Sequence, residues 1–245
     1  MLMISRIKNF LLNNRPKLST EVDLHSHFIP EIDDGCRSVE ESIHLILQMK
    51  KLGYKKLVTT PHIMSHRYPN TIDIIKKSLF EIRSILKVKN IDIEINASAE
   101  YYFDEHFIKL IKEEKLFPFG QNYILFELPY TTRPNDLESG IRNLLEKCYK
   151  PVLAHPERYR FLNKVSEYRT LKKLGVYFQV NINSLTGYYG KEVQKKALML
   201  SQKSMIDFVG SDIHHQKHMD HFIDSVFSNH VETLFSNNKI LNDTI

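Results

Sequence analysis

Apolar residues along the chain fall into two alternating patterns. Short runs rich in apolar and β-branched residues read as strands: VDLHSH (22–27), KLVTT (56–60), IDIEINASAE (91–100), YILFEL (123–128), PVLAH (151–155), VYFQVNI (176–182) and IDFVGSD (206–212). Between them the apolar positions recur with helical spacing. After the first strand, Ser38 with Glu41 three residues on forms a capping box, Ile43, Leu45, Ile46, Leu47 and Met49 supply the stripe, and Gly53 ends it. Similar helices are expected at about 71–88, 104–114, 136–148, 164–174, 190–203 and 218–236. Seven strand–helix units imply a parallel sheet, and seven in one uninterrupted domain favour a closed or nearly closed α/β barrel of the TIM-like kind.

The opening MLMISRIKNFLLNNRPK does not fit this alternation. It is too short, and too interrupted by Arg6 and Lys8, to span a bilayer, and it has no small-residue cleavage pattern. It reads as an amphipathic helix packing on the domain; lying on a membrane surface is the less favoured alternative. The expected organisation is a helical extension over 1–20 and a single domain over 21–245.

Composition narrows the class. With 42% apolar and 26% charged residues, eight glycines and nine prolines in 245, the chain is neither disordered nor collagenous. Cys36 and Cys148 provide no disulfide framework and suit a reducing compartment, hence the cytoplasm. Neither begins a C-x5-R loop, because six residues on from each stand Ser42 and Ala154, so a cysteine-nucleophile phosphatase is not indicated. The net charge of +5 is spread over lysine pairs such as Lys55-Lys56 and Lys172-Lys173; it suits an anionic substrate mildly and otherwise reads as a solvated face. No basic stripe interleaves with aromatics in the manner of a nucleic-acid binder.

The chemistry sits at strand ends, where such barrels carry their active sites. His25 and His27 close the first strand, His62 follows the second, Glu100 ends the third and Glu127 lies near the end of the fourth. His155 ends the fifth, Asn181 and Asn183 come from the sixth, and Asp212 with His214 end the seventh. Residues at i and i+2 of an extended segment share a face, so His25 and His27 can grip one ion. Any one of these histidines alone is more simply a satisfied core or surface residue; a set on successive strand ends is not. Without a cation, converging carboxylates and imidazoles would repel or stay unsatisfied. Nitrogen and oxygen ligands without thiolate point to Mn, Zn or Fe, and their number exceeds the needs of one ion. Two or three ions held this way activate water and clamp a phosphoryl group. Arg158, three residues past His155, is placed to bind phosphate oxygens. His44, His66, His106, His218, His221 and His230 lie off the strand ends and are read as bystanders, as is His215, whose side chain should diverge from that of its neighbour His214. Tyr101-Tyr102-Phe103 and Tyr188-Tyr189 either pack helices or line a pocket for a ring.

The motifs DLHSH, IDDG, TTPH, the AE before YY, FEL, AHPER and SDIH together resemble the polymerase and histidinol phosphatase (PHP) superfamily, in particular the bacterial tyrosine-protein phosphatases of the CpsB/YwqE type. The resemblance runs from about residue 21 to the end. It implies a distorted (β/α)7 barrel with a trinuclear centre, usually manganese, with Zn or Fe as alternatives. It also implies the ligand sets: His25, His27, Glu100 and Asp212 for one ion; Glu100, Glu127 and His155 for a second; Asp34, His62 and His214 for a third, with Arg158 on the phosphate. The residues themselves do not choose between Asp33 and Asp34; the family pattern favours Asp34. The substrate implied is phosphotyrosine on a protein, a bacterial tyrosine kinase tail controlling capsule or exopolysaccharide synthesis, and oligomers are compatible. The alternatives are histidinol-phosphate phosphatase or another PHP phosphoesterase, and a metal-loaded regulatory domain without catalysis. One departure stands out: a second arginine expected shortly after SDxH is absent from SDIHHQKHMDHF, where Lys217 could replace its charge but not its fork.

Overall fold

The computed structural model describes residues 18–245. The expected N-terminal helix therefore lies outside the described residues except for 18–20, which are not helical. The strands are β1 (Val22–Leu24), β2 (Lys56–Thr59), β3 (His62–Ile63), β4 (Glu94–Ala97), β5 (Glu100–Tyr102), β6 (Tyr123–Glu127), β7 (Lys150–Ala154), β8 (Tyr177–Asn181) and β9 (Phe208–Gly210). All pair in parallel, in two sheets ordered β1-β2-β4 and β3-β5-β6-β7-β8-β9.

The helices are α1 (Val39–Leu52), α2 (Ile72–Val88), α3 (Glu105–Lys112), α4 (Leu137–Glu146), α5 (Val165–Lys173), α6 (Ile182–Leu185), α7 (Lys191–Gln202), α8 (Gln216–Ser225) and α9 (Asn229–Asn237). Their starts follow capping chemistry. Ser38, Thr71 and Asp104 each accept the backbone N–H three residues on, at Glu41, Ile74 and Phe107, contacts worth about 1 kcal/mol apiece. Glu41 reaches back to the Arg37 N–H rather than to that of Ser38, one residue beyond the expected box. Gly53, at φ +111°, supplies the left-handed turn that stops α1.

Three expectations need correction. The run 91–100 is two strands; beside it the short β3 follows β2 after a break at Pro61, which has no N–H for the ladder. Backbone bonds step across both breaks, from Ser98 N to Thr59 O (2.9 Å) and from Glu100 N to Pro61 O (3.1 Å). The region 218–236 is two helices, since Val226 ends α8 and Ser228 begins α9 in extended conformation. The first strand stops at Leu24, because His25 takes φ +96°. Beyond it, His27 N donates to Ile213 O (2.9 Å) and Asp212 N to His25 O (2.8 Å), joining the first and last strand segments.

Period-2 alternation builds the floor of the site. Along β6, Ile124 and Phe126 pack in the larger apolar core that also buries residues of the helices, while Tyr123 and Leu125 join a second, smaller core with Leu24, Val58, Phe119, Val152, Ala154 and Phe208. The next residue of that inner series is Glu127. On β8 the same alternation places Tyr177, Gln179 and Asn181 in one series. These series of β6 and β8 thus run from aromatic or apolar to polar toward the C-terminal ends of the strands.

Candidate metal centre

Nine side chains from these strand ends and their loops converge. The Glu100 carboxylate, fully buried, is the hub: Oε2 lies 3.1 Å from His25 Nε2, 3.5 Å from His27 Nε2 and 3.2 Å from His62 Nδ1, and Oε1 lies 2.9 Å from His155 Nε2. Glu127 Oε1 is 3.3 Å from His62 Nδ1. Asp34 Oδ1 stands 3.4 Å from His62 Nε2 and 3.6 Å from His214 Nε2. Ligand atoms of His27, Asp34, His62 and His214 lie within 4.8 Å of one another, as do those of His25, His27 and Glu100, of His25, His155 and Asp212, and of His62, Glu100 and Glu127. All nine residues expected as ligands belong to these groups.

Three of the nine depart from ordinary backbone geometry. His25 (φ +96°), His155 (φ +34°) and Asp212 (φ +51°) occupy the left-handed region, which costs an L-residue on the order of 1–3 kcal/mol. His25 and His27 still share a face, with ring centroids 5.5 Å apart, but a turn rather than an extended pleat aims them.

Surrounding groups fix the ligands. Gln179 Oε1 accepts from His25 Nδ1 (2.7 Å) and Asp33 Oδ2 accepts from His27 Nδ1 (2.8 Å). Asp33 also takes the N–H of His62 and of Gly35, so it braces the cluster while Asp34 faces into it. Asp212 is divided: Oδ1 faces His25 at 3.3 Å, whereas Oδ2 accepts from Arg158 Nη1 (3.0 Å) and Asn181 Nδ2 (2.6 Å). The Arg158 guanidinium lies between two rings, 4.8 Å from the Tyr130 centroid and 4.5 Å from that of Tyr189. Arg158, its two flanking tyrosines and seven of the nine expected ligands, all but His25 and His27, line a cavity of about 600 Å³.

The electrostatics call for a cation. Burial, then Glu100, pushes Glu127 up to about 8, and burial with the nearby Arg158 charge pulls His155 down to about 4. Burial also depresses His62, but Glu100 and Asp34 outweigh it and lift it to about 9. Burial opposes ionisation of Asp212 too, yet His25, His214 and Arg158 hold its carboxyl well below the usual range. Side chains so close cannot all take their preferred charge at once. Three buried ring nitrogens, His27 Nε2, His62 Nδ1 and His155 Nδ1, have no hydrogen-bond partner, a costly state unless a Lewis acid takes the lone pair. The donor set is nitrogen and oxygen only, which fits divalent transition ions of the Mn, Fe or Zn kind. Neither cysteine lines the cavity: Cys36 is buried elsewhere, with burial raising its thiol pKa, and Cys148 is exposed.

Residues 21–234 match the family described as capsular polysaccharide synthesis, CpsB/CapC. The chain belongs to the CpsB/CapC family. It is 30% identical over 199 residues to the tyrosine-protein phosphatase YwqE of Bacillus subtilis, covering 80% of this chain and 78% of that one. It is 27% identical over 200 residues to the tyrosine-protein phosphatase CpsB of Streptococcus pneumoniae, covering 79% and 82%. A solved structure from work on YwqE and CpsB, described there as metal-dependent tyrosine phosphatases, superposes with a TM-score of 0.74 over 91% of this chain and 97% of the other; at 24% identity this likeness concerns the fold.

In this CpsB/CapC chain several cavity residues escaped the sequence reading. Tyr68 and Tyr130 were not singled out, nor was Gln179 behind His25, and His66, His215 and His218, set aside as bystanders, line the cavity without joining a ligand group. Tyr102 and Tyr189 line it too, whereas Tyr101 and Phe103 pack in the core. Lys217 is exposed and absent from the lining. A polar residue two places before Asn181 was the available signal for Gln179; Tyr130 sits in a loop and carried none.

Proposed function

We propose that this chain is a metal-dependent protein-tyrosine phosphatase acting on phosphotyrosine of a bacterial tyrosine kinase that governs capsular or exopolysaccharide synthesis. The observation that carries the reading is the convergence of nine nitrogen and oxygen donors beneath a guanidinium held between two tyrosine rings, in a member of the CpsB/CapC family. We read the parallel strands, with their hydrogen bonds from the last segment to the first, as a distorted (β/α)7 barrel of PHP type, a single domain over 21–245.

In this reading His25, His27, Glu100 and Asp212 hold one ion, Glu100, Glu127 and His155 a second, and Asp34, His62 and His214 a third, with Mn2+ the favoured ion. Ions there supply Lewis acidity toward the phosphoryl oxygens and make water a nucleophile near neutral pH. The protein's own groups do the rest. Arg158 binds phosphate oxygens and offsets charge that develops on them. Tyr130 and Tyr189 limit how Arg158 can turn, and Asn181 and Gln179 fix Asp212 and His25. Tyr68, Tyr102, Tyr130 and Tyr189 give the cavity an aromatic wall, which suits an aryl phosphate over the small alkyl phosphate of a histidinol-phosphate phosphatase. A phenol leaves as a weaker base than an alcohol, so the departing oxygen needs less protonation.

No described helix is long and apolar enough to cross a membrane. The two unpaired cysteines support a cytoplasmic setting. The test is hydrolysis of p-nitrophenyl phosphate and of a phosphotyrosine peptide by chelator-stripped protein given Mn, Zn or Fe. Activity lost on stripping and restored by metal, with histidinol phosphate a poor substrate, is the expected result. Inactivity with ions bound would move the reading to a regulatory domain.

A further inference from the structure

Two arginines line the cavity, and they differ in setting. Arg158 is ion-paired to Asp212 and lies between two rings, whereas Arg67 is exposed on the turn between β3 and α2, and among the described residues it makes no ion pair. That turn is well built. Met64 and Tyr68 exchange both backbone hydrogen bonds at 2.9 Å, Arg67 N donates to Met64 O, and the buried Asn70 amide donates to Ile32 O and His62 O. The Arg67 guanidinium rests 5.0 Å from the Tyr68 ring, and that ring stacks on His62 at 5.6 Å with an interplanar angle of 13°. Arg67 is thus a positioned cation two stacked layers out from a residue of the cluster.

The segment after the last strand, which also borders the cavity, offers no equivalent. Residues 215–221 contain no arginine, and Lys217 faces solvent outside the lining. We propose that Arg67 is a specificity-determining residue that receives a carboxylate flanking the phosphotyrosine, so that the site prefers acidic phosphopeptides. The proposal rests on the phosphatase reading above. A phosphate engaged by the cluster and Arg158 directs the phenol along the aromatic wall, and the peptide main chain with its neighbouring side chains then emerges among the exposed groups of the mouth. A guanidinium without a carboxylate of its own matches an incoming Asp or Glu as a two-pronged donor.

The experiment uses the full chain loaded with Mn2+, as wild type, Arg67→Gln and Lys217→Gln, with two phosphotyrosine peptides whose flanking residues are acidic or neutral. Arg67→Gln is expected to raise KM for the acidic peptide about five- to tenfold with kcat held, the size of one typical hydrogen-bonded contact at an exposed position. The neutral peptide and p-nitrophenyl phosphate should be unaffected, and the preference of the wild type should shrink with added salt. Equal KM values for wild type and Arg67→Gln on the acidic peptide, or the loss appearing in Lys217→Gln instead, overturns the proposal. Binding of the same peptides carrying a non-hydrolysable phosphonate, read by calorimetry, tests Arg67 even if turnover fails. Failure of the wild type on every phosphate ester would instead sink the phosphatase reading.

Discussion

Arg158 Nη1 donates to Asp212 Oδ2 at 3.0 Å, and the other oxygen of that carboxylate faces His25. One aspartate therefore couples the Arg158 guanidinium to the histidine cluster. Replacing Arg158 by alanine should lower kcat/KM by about 100-fold or more, the scale of losing one donor to developing charge. Metal content, measured by mass spectrometry, should be unchanged. Arg158→Lys should recover little, because an ammonium cannot reproduce the fork or the packing between Tyr130 and Tyr189.

Asp33 and Asp34 are adjacent and do different work. Asp34→Asn should lower the number of ions bound per chain, since its carboxylate faces His62 and His214. Asp33→Asn should keep the stoichiometry but weaken affinity by about 10- to 100-fold, as expected when the partner that orients a ligating histidine is lost. Metal titration with a competing chelator separates the two; identical stoichiometry in both variants would refute the assignment.

Stripping the ions should cost stability as well as activity. For an ion present at about 100 times its Kd, binding contributes about 2.7 kcal/mol, or roughly 5–10 °C in Tm for a chain of this size. Thermal melts before and after chelation, and again after adding Mn2+, give the value directly. A Tm indifferent to chelation would mean that the cluster does not bind ions in the folded state.

Gly210 ends β9 where the last strand meets the first. A Cβ there would stand 2.3 Å from Leu24 O, 2.6 Å from Gln179 Nε2 and 2.8 Å from His25 Cβ, too close for any of them. Gly210→Ala should therefore destabilise the fold by about 3 kcal/mol or more and weaken metal binding in whatever folded protein remains. Urea unfolding checks the first, metal content the second.

Alkylation distinguishes this chemistry from thiol catalysis. Cys148 is exposed and outside the cavity, so iodoacetamide should modify it while phosphatase activity persists. Inactivation by alkylation of Cys148 would contradict the site as described.

Much of this was legible in the sequence because strand ends in an alternating chain are marked by periodicity. Glu127 and Asn181 end their strands as predicted, whereas Glu100 opens β5 instead of closing the run 91–100. What could not be read depends on contacts between distant segments. The pleat argument found His25 and His27 but not the φ +96° turn that aims them, which the close approach of Ile213 and Asp212 accompanies. Asp33 and Asp34 are equivalent by local pattern, and only the folded loop turns one toward His27 Nδ1 and the other into the cavity. Tyr130 and Arg67 belong to loops, where no repeat announces which side chain faces a site.

His25 and His27 leave the ribosome long before Asp212 and His214. Because Asp212 N bonds to His25 O, with Oδ1 of the same residue near that histidine's ring, the centre joins groups from the two ends of the domain. A nascent chain lacking its final strand holds only part of the ligand set and leaves the first strand's partner missing. The donor set is thus complete only once the segment that carries Asp212 and His214 has been made, and an ion met before that would be held by fewer donors.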